Sequence, residues 1–377
     1  MNLTRTLAMA HKELIQIRRD TRSLIIILIM PVILVLLFGY GVSLDLKHVP
    51  VYVFDREGSQ QSQDLLKRFQ ATQYFNLVRT VDNYPALVAA IDSGQAKLGL
   101  VLPPDFSQQL ENGGPVSVQA LVDATDDNAA NVIFSYCQGI VAGFSQDVQL
   151  AFLRRRGQGN AQPPLIVETR TWYNEDLESK AFIVPGVLAL VMSVIGAFLT
   201  SLTIAREWER GTMEQLISTP VTPIEIMVGK LAPYFIIGMF DMAVVAGLAI
   251  FWFRVPFRGE TLTLFFASAL FLVAVLCLGF FISVVARNQL AASQMSLIAT
   301  FLPAFLLSGF LFSIEQMPRA IQLITRILPA RYYVSALKKI FLKGTPALLL
   351  YTEMVPLAIF ALVLVILATH IFHKRLA

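Results

Sequence analysis

Acidic residues at three places in the sequence have the spacing or the setting to do chemistry. Asp123, Asp126 and Asp127 could together hold a cation, but they precede a predicted long helix over 128–155. Carboxylates at a helix N-terminus offset the helix dipole, so we expect these three to cap that helix. No spacing in the sequence is typical of a metal site.

Asp241 is the one acidic residue deep inside an apolar stretch. Burying a carboxylate there is costly, so Asp241 is a candidate proton or cation site on a pathway. The alternative is a protonated or hydrogen-bonded aspartate that holds helices together. We favour the alternative, because proton-driven carriers tend to contain several such groups.

The third place is a polar hairpin over 206–230, REWERGTMEQLISTPVTPIEIMVGK, between two long apolar segments. Its first charged residues are Arg206, Glu207, Glu209, Arg210 and Glu214. Its apolar residues at helical spacing are Met213, Leu216 and Ile217. Together they predict a helix that becomes amphipathic, with a bend at Gly211 and an end at Pro220. Thr222, Pro223 and Glu225 then form a capping-box pattern, which predicts the start of a second helix.

Motifs for catalysis are not evident in the 377 residues. No phosphate-binding loop of the form G-x-x-x-x-G-K-[ST] occurs, because Gly229-Lys230 lacks the preceding glycine. The histidines lie at segment edges, where contact with headgroups is expected: His11, His48, His370 and His373. We therefore expect no catalytic site, no bound cofactor and no nucleotide hydrolysis by this chain alone.

The composition indicates a membrane protein, with 55% hydrophobic and only 15% charged residues. A spanning helix needs about 20 apolar residues. Six stretches meet this need and predict an α-helical polytopic protein: 23–44, 181–205, 231–253, 262–285, 293–312 and 355–372.

Between the first two predicted spans lies an insertion, 45–180, of ordinary soluble composition. Its net charge is −5 and that of the remainder is +9, which favours opposite compartments and gives no reason to expect nucleic-acid binding. Alternating patterns predict an α/β domain. The predicted strands are 49–54, 77–81, 98–102, 116–122 and 166–172. The predicted helices are 61–71, 85–93 and 128–155.

The N-terminal residues 1–22 predict an amphipathic helix on the cytoplasmic membrane surface. Its apolar side contains Leu3, Leu7, Ala10, Leu14 and Ile17. Basic residues before the first span hold the N-terminus in the cytoplasm, so the insertion faces out and 206–230 faces in. Both termini are then cytoplasmic. A cleaved signal peptide is the alternative, but the apolar run is too long and no A-x-A site follows it.

Residues 313–350 carry basic side chains on what this topology makes the outer side. We interpret them as two short amphipathic helices, interrupted at Pro329, whose basic side chains extend to water. A different number of spans is the alternative.

Small residues recur at every fourth position of the fifth span: Ala292, Ser296, Thr300, Ala304 and Ser308. Such a ridge lets another helix approach closely. It packs either inside the chain or against a second subunit, and its length favours subunit contact.

The hairpin string resembles the cytoplasmic signature of bacterial ABC-2 transporter permeases, R-E-x-E-x-G-T-x-E-x-L-x-x-[ST]-P followed by a helix that ends near G-K. The resemblance covers the whole chain. VYVFDREGS, LGLVLPPDFS and VQALVDATDDNAAN are similar to blocks of the drug-efflux branch, and FLLSGFLFSIEQMPRAIQLITRILPARYYVSALKKIFLKG is similar to its outer re-entrant segment.

This resemblance implies an exporter subunit in a bacterial inner membrane. It would pair with a second permease, identical or homologous, and with two ATPase subunits that bind ATP and Mg²⁺. The hairpin would be the coupling element, with Glu207, Glu209 and Glu214 contacting the ATPase and Met213, Leu216 and Ile217 filling its groove. Relatives in the branch expel drugs or sodium, often with a periplasmic adaptor and an outer-membrane channel. Export of a lipid or polymer is a further alternative, although polysaccharide exporters usually lack such a large outer domain.

Two other classes of protein fit less well. A sensor would need a cytoplasmic signalling domain, for which neither terminus is long enough. A secondary carrier that uses Asp241 would commonly show inverted repeats and paired charges inside the membrane.

Overall fold

A computed structural model of the chain describes residues 2–41, 46–155 and 178–372. The chain divides into two compact units: Leu44–Arg170, and Met1–Ser43 together with Thr171–Ala377. The residue bounds of the first unit are close to those of the predicted insertion, 45–180.

Two helices precede the insertion. Helix α1 covers Leu3–Arg19 and is capped by the Asn2 side chain, which accepts a hydrogen bond from the Thr4 amide. Helix α2 covers Thr21–Gly41 and contains the apolar stretch Ile27–Gly41. The first of the predicted spans therefore lies on a helix.

The inserted unit alternates strands and helices as its sequence pattern predicts. In chain order its elements are β1 Val49–Asp55, α3 Gln60–Gln70, β2 Phe75–Thr80, α4 Tyr84–Asp92, β3 Leu98–Leu102, α5 Phe106–Glu111, β4 Gln119–Val122 and α6 Asp127–Arg155. The sheet order is β2-β1-β3-β4, in which β1 is parallel to both neighbours and β4 is antiparallel to β3. The predicted strand 166–172 lies outside the described residues, and the short helix α5 was not predicted.

Asp123 and Asp126 precede α6 and differ in role, whereas Asp127 is the first residue of α6 and its side chain lies outside the described part of the chain. Asp126 caps α6, because its Oδ1 atom accepts a hydrogen bond from the Ala129 amide at 3.1 Å. Asp123 instead accepts hydrogen bonds from Thr125 and pairs with Lys97 at 3.1 Å, so capping was the wrong prediction for this residue. The Thr125 bonds and Lys97 lower the pKa of Asp123 to about 2. Its contribution to stability is present above the ordinary value of 3.8 and is lost as the pH falls towards 2.

Within the described residues 178–372, eight α-helices follow the insertion. They are α7 Ser179–Glu209, α8 Met213–Ser218, α9 Pro223–Gly247, α10 Thr261–Ala286, α11 Gln289–Leu302, α12 Arg319–Thr325, α13 Pro329–Lys338 and α14 Tyr351–Ile371. Helices α9 and α11 continue into π-helical turns at Leu248–Trp252 and Pro303–Leu307. Within the described residues, the five segments built on α7, α9, α10, α11 and α14 are long and apolar enough to cross a membrane. The total of six spans stays a prediction.

Helix α7 is the centre of this bundle. It packs against α2, α9, α10, α11 and α13, and most of its apolar length is buried. Its contact with α10 is very close at Gly279, where a β-carbon would lie less than 3.0 Å from the Ala197 carbonyl and the Thr200 hydroxyl of α7. Small residues thus allow the two backbones to approach.

The ridge of small residues on the fifth predicted span packs inside the chain. All five members are buried: Ala292, Ser296, Thr300, Ala304 and Ser308. Helix α11 packs mainly against α7, which buries small residues of its own at Ser193, Ala197 and Ser201. The prediction of a subunit contact through this ridge is therefore wrong, because the ridge is already covered by α7 and its neighbours.

Residues 313–350 form the two predicted short helices, α12 and α13, but α13 is embedded in the bundle. Tyr333 and Leu337 are fully buried. The Lys338 ammonium donates to the Gly309 carbonyl at 2.6 Å, and Lys339 pairs with Glu353 at 2.6 Å. The prediction that the basic side chains extend to water is wrong for these two lysines, because both have partners within the chain.

Replacing Gly279 with alanine is expected to destabilise the bundle by about 1–3 kcal/mol, because the added methyl group meets backbone that cannot move freely. Gly247→Ala is the matched control, since a β-carbon there meets nothing within 4 Å. Thermal unfolding of the purified chain in detergent would compare the two. Equal unfolding temperatures would contradict the close α7–α10 contact.

Candidate functional site

The predicted hairpin is a short helix held between two long ones. Helix α7 continues to Glu209, and Gly211 then takes the left-handed conformation with φ of +68° before α8 begins. This confirms the predicted bend, since glycine adopts that conformation without a steric penalty. The capping box at the start of α9 is also confirmed: the Thr222 amide donates to Glu225 at 2.8 Å and the Glu225 amide donates to Thr222 at 3.4 Å.

Helix α1 docks along the start of α9. The buried face of α1 consists of Thr6, Met9, Glu13 and Ile17. A β-carbon at Gly229 of α9 would lie 2.6 Å from the Met9 β-carbon and 3.0 Å from the Thr6 carbonyl. The hydrophobic side predicted for α1 is divided, because Ile17 is buried whereas Leu3, Leu7 and Leu14 are exposed.

The docking of α1 also reaches the hairpin. The Asn2 amide donates a hydrogen bond to Glu225, and the Arg5 guanidinium donates to the carbonyl of Pro220. The N-terminal helix therefore contacts both the turn after α8 and the cap of α9.

Four charged side chains meet where α1, α7 and α9 converge, and we call Lys12, Glu13, Glu207 and Lys230 the ion cluster. The Lys230 ammonium lies 3.0 Å from a carboxylate oxygen of Glu13 and 3.0 Å from one of Glu207. Lys12 lies 3.0 Å from the same Glu207 oxygen. The cluster contains two positive and two negative charges, so its formal charge is zero.

Two hydroxyl groups complete the ion cluster. Tyr234 of α9 donates to Glu13 at 3.0 Å, and Thr212, just before α8, donates to Glu207. Lys230 is fully buried and Glu207 is only 4% exposed. Buried charges are tolerated when they are paired and hydrogen-bonded, which is the case here.

Several residues predicted to contact a partner are engaged inside this chain. Met213 and Leu216 are 2% and 6% exposed and belong to the hydrophobic core of the bundle. Glu207 belongs to the ion cluster. The prediction that these three side chains reach into another protein is wrong, because their contact surfaces are already covered. The side chain of Ile217 lies outside the described part of the chain.

Three further charged residues of the hairpin are held by contacts within the chain: Arg206, Glu209 and Glu225. Glu209 accepts a hydrogen bond from the Gln289 amide at 2.7 Å. Arg206 lies 3.4 Å from both Gln289 and Asp20. Glu225 is buried in its capping box. These contacts fix the hairpin to the bundle on several sides.

One face of the hairpin stays exposed. On α8 the exposed residues are Glu214, Gln215 and Ser218, opposite to the buried Met213 and Leu216. Pro220 and Ile224 extend this surface beyond α8. We call these five exposed residues the hairpin face.

Sequence reasoning missed Glu13, Lys230 and Tyr234 as parts of the site. A signal for Glu13 was present, because it is the one acidic residue in 1–19. For Lys230 the signal was a lysine placed directly before a predicted span. Neither pattern identifies its partner.

Asp241 lies in α9 and is 3% exposed. Its Oδ2 atom is buried without a hydrogen-bond partner among the residues that the structure describes. Such an uncompensated oxygen is unusual inside a protein. This buried, unpaired oxygen makes Asp241 a second candidate site, separate from the hairpin.

Comparison with known proteins identifies the family. Residues 21–370 match the family described as ABC-2 family transporter protein. The chain belongs to this family. It is thus a multi-pass membrane protein of the ABC-2 type, and its hairpin joins two of its membrane-spanning candidates.

Two of the similar proteins are matched over nearly their whole length, and a third over about half of its length. The chain is 40% identical over 341 residues to the probable multidrug ABC transporter permease YbhS of Escherichia coli K12, covering 90% of this chain and 89% of YbhS. It is 29% identical over 364 residues to YbhR of the same strain, described in the same words, covering 93% and 95%. ABC transporter G family member 20 of Dictyostelium discoideum is 24% identical over 356 residues, covering 91% of this chain and 47% of that protein.

In this ABC-2 transporter, Lys230→Met is expected to lower the free energy of unfolding by about 3–5 kcal/mol, because it leaves buried Glu13 without its cation and buried Glu207 with Lys12 alone. Denaturant unfolding in detergent, followed by the fluorescence of the neighbouring Trp208, would measure the loss.

The control combines Lys230→Met with Glu13→Gln and Glu207→Gln. It removes all three buried charges together and is expected to recover most of the lost stability. If the single variant were as stable as the natural chain, the ion cluster would not stabilise the fold.

Proposed function

We propose that this chain is the membrane-spanning subunit of an ATP-driven exporter of amphipathic drugs. Family membership and the multidrug names of the relatives YbhS and YbhR support this proposal. ATP and Mg²⁺ would be bound by two copies of a separate ATPase subunit. A second permease, identical or homologous, would complete the transporter.

The hairpin face is the proposed contact with the ATPase. The observation that carries this proposal is the division of α8 into two sides, one buried in the bundle and one exposed. Glu214 offers a carboxylate near the N-terminus of α8, while Pro220 and Ile224 offer apolar surface. A rigid exposed protrusion with both properties is suited to a groove in a partner protein.

Force applied to the hairpin face would be transmitted through bonded contacts rather than through a flexible loop. Lys230 and Glu207 connect α9 with α7, and Glu13 connects α1 with α9. We propose that α1, α7 and α9 move as one body when the ATPase moves the hairpin.

The proposed orientation places the hairpin and both termini in the cytoplasm of a bacterium, with the transporter in its inner membrane. The inserted α/β unit is then periplasmic. A periplasmic adaptor and an outer-membrane channel are further proposed partners, suggested by the drug-efflux branch alone.

Glu214→Lys is expected to reduce ATP-driven drug transport at least about tenfold, because reversing a charge in a complementary contact costs 1.4 kcal/mol or more. Substrate-stimulated ATP hydrolysis and transport should be measured on the transporter reconstituted with its partner ATPase. Glu315→Lys is the matched control, since Glu315 is exposed on a short turn outside the hairpin.

Unchanged transport by a fully assembled Glu214→Lys complex would contradict the proposed contact. Labelling of a Glu214→Cys variant by an impermeant reagent gives an independent control of orientation. The residue should react in inverted vesicles and be protected in intact cells.

A second candidate function is transport driven by a proton or cation gradient through Asp241. Its buried oxygen, which has no hydrogen-bond partner in the part of the chain that the structure describes, supports this candidate. It predicts that the reconstituted chain moves substrate under a pH or sodium gradient without any ATPase. The Asp241→Asn variant should then lose that transport, because it cannot ionise. Failure of the natural chain to transport under either gradient would reject this function.

A further inference from the structure

We propose that a cavity between α1 and the end of α7 binds a phosphate group. The cavity has a volume of about 520 Å³. Its polar lining consists of Lys12, Gln16, Arg19, Asp20, Arg206 and Arg210. This site is distinct from the hairpin face, and its occupancy does not depend on the transport function proposed above.

Two helical faces supply the cations of the cavity. Lys12, Gln16 and Arg19 follow one another at intervals of four and three residues, so they lie on the same side of α1. Arg206 and Arg210 are four residues apart at the end of α7, and Arg210 is the C-cap residue of this helix. Folding therefore brings together basic residues that are nearly 200 positions apart in the sequence.

The charges around the cavity are not balanced. Asp20 is its one carboxylate and lies 3.4 Å from Arg206. The guanidinium groups of Arg19 and Arg210 have no ion-pair partner among the residues that the structure describes. The C-terminal ends of α1 and α7 each contribute about half a negative charge. Lys12 is already paired with Glu207 and is left out of this sum. When Asp20 and both helix ends are counted against the three arginines, the lining retains about one positive charge.

Phosphate chemistry fits this excess charge. Planar guanidinium groups match the spacing of phosphate oxygens and bind them through paired hydrogen bonds. The side chains of Arg19 and Arg210 are exposed and line the cavity from two different helices, and in the proposal one phosphate accepts hydrogen bonds from both. The group can belong to an anionic phospholipid or to a soluble phosphate, and the experiment below distinguishes these sources.

A phosphate in this cavity would join α1 to α7 beside the ion cluster. Lys12 belongs to both sites, because it lines the cavity and pairs with Glu207. Binding would therefore add a contact between the same helices that the buried charges connect, and would raise the unfolding temperature.

The experiment uses the full chain in nanodiscs of phosphatidylcholine, or of phosphatidylcholine mixed with phosphatidylglycerol. Native mass spectrometry measures the retained phosphatidylglycerol, and calorimetric titration of inorganic phosphate into the phosphatidylcholine discs measures the soluble ligand. The Arg19→Gln/Arg210→Gln variant is expected to bind the phosphate ligand at least about tenfold more weakly, because it loses charged hydrogen bonds from both helices.

Arg18→Gln is the matched control, since it removes a neighbouring exposed arginine that does not line the cavity. The Arg19→Lys/Arg210→Lys variant should recover part of the binding by restoring the charge. Phosphatidylglycerol retention without phosphate binding identifies a lipid headgroup, and the reverse identifies a soluble ligand. If neither probe binds, or if Arg18→Gln weakens binding as much as the double variant, the proposal is overturned.

Discussion

The burial of one ammonium group, that of Lys230, determines how the hairpin end of the bundle is arranged. A fully buried lysine needs anionic partners, because desolvating an unpaired charge costs several kcal/mol. Glu207 supplies one partner from α7 and Glu13 supplies the other from α1. The two carboxylates are in turn satisfied by Lys12, Thr212 and Tyr234. Three helices from distant parts of the sequence are thereby fixed to one another.

This constraint explains why the hairpin has one exposed side. Glu207 faces inward because Lys230 is there, and the bend at Gly211 then folds α8 back so that Met213 and Leu216 join the core. The opposite side of α8 has no room in the core and stays exposed. A partner protein would thus meet a surface supported from behind by packed side chains, which is suited to transmitting force.

The N-terminal helix is more than a membrane-surface element. It closes the ion cluster with Glu13, contacts the hairpin through Asn2 and Arg5, and lines the basic cavity with Lys12 and Arg19. A single helix therefore connects the hairpin, the buried charges and the proposed phosphate site. Any change in the position of α1 would affect all three.

The sequence by itself determined the features that depend on local chemistry. Apolar runs predicted helices at the membrane-spanning candidates, Pro220 and Gly211 predicted the breaks, and Thr222 with Glu225 predicted the cap of α9. The alternating strands of the insertion followed in the same way. Each of these features is decided by residues within a few positions of one another, so periodicity and capping chemistry were sufficient.

Only the tertiary structure decided what covers each helical face. Spacing showed that Ala292, Ser296 and Thr300 share a side, but not that α7 would cover it. The pattern likewise marked Glu207 as acidic without revealing that Lys230 would neutralise it, or that Lys230 would also pair with Glu13. In the sequence, Lys230 is 23 residues away from Glu207 and 217 residues away from Glu13. Such pairings follow from how the whole bundle packs, because the cost of burying a charge or a small-residue ridge depends on every helix that surrounds it.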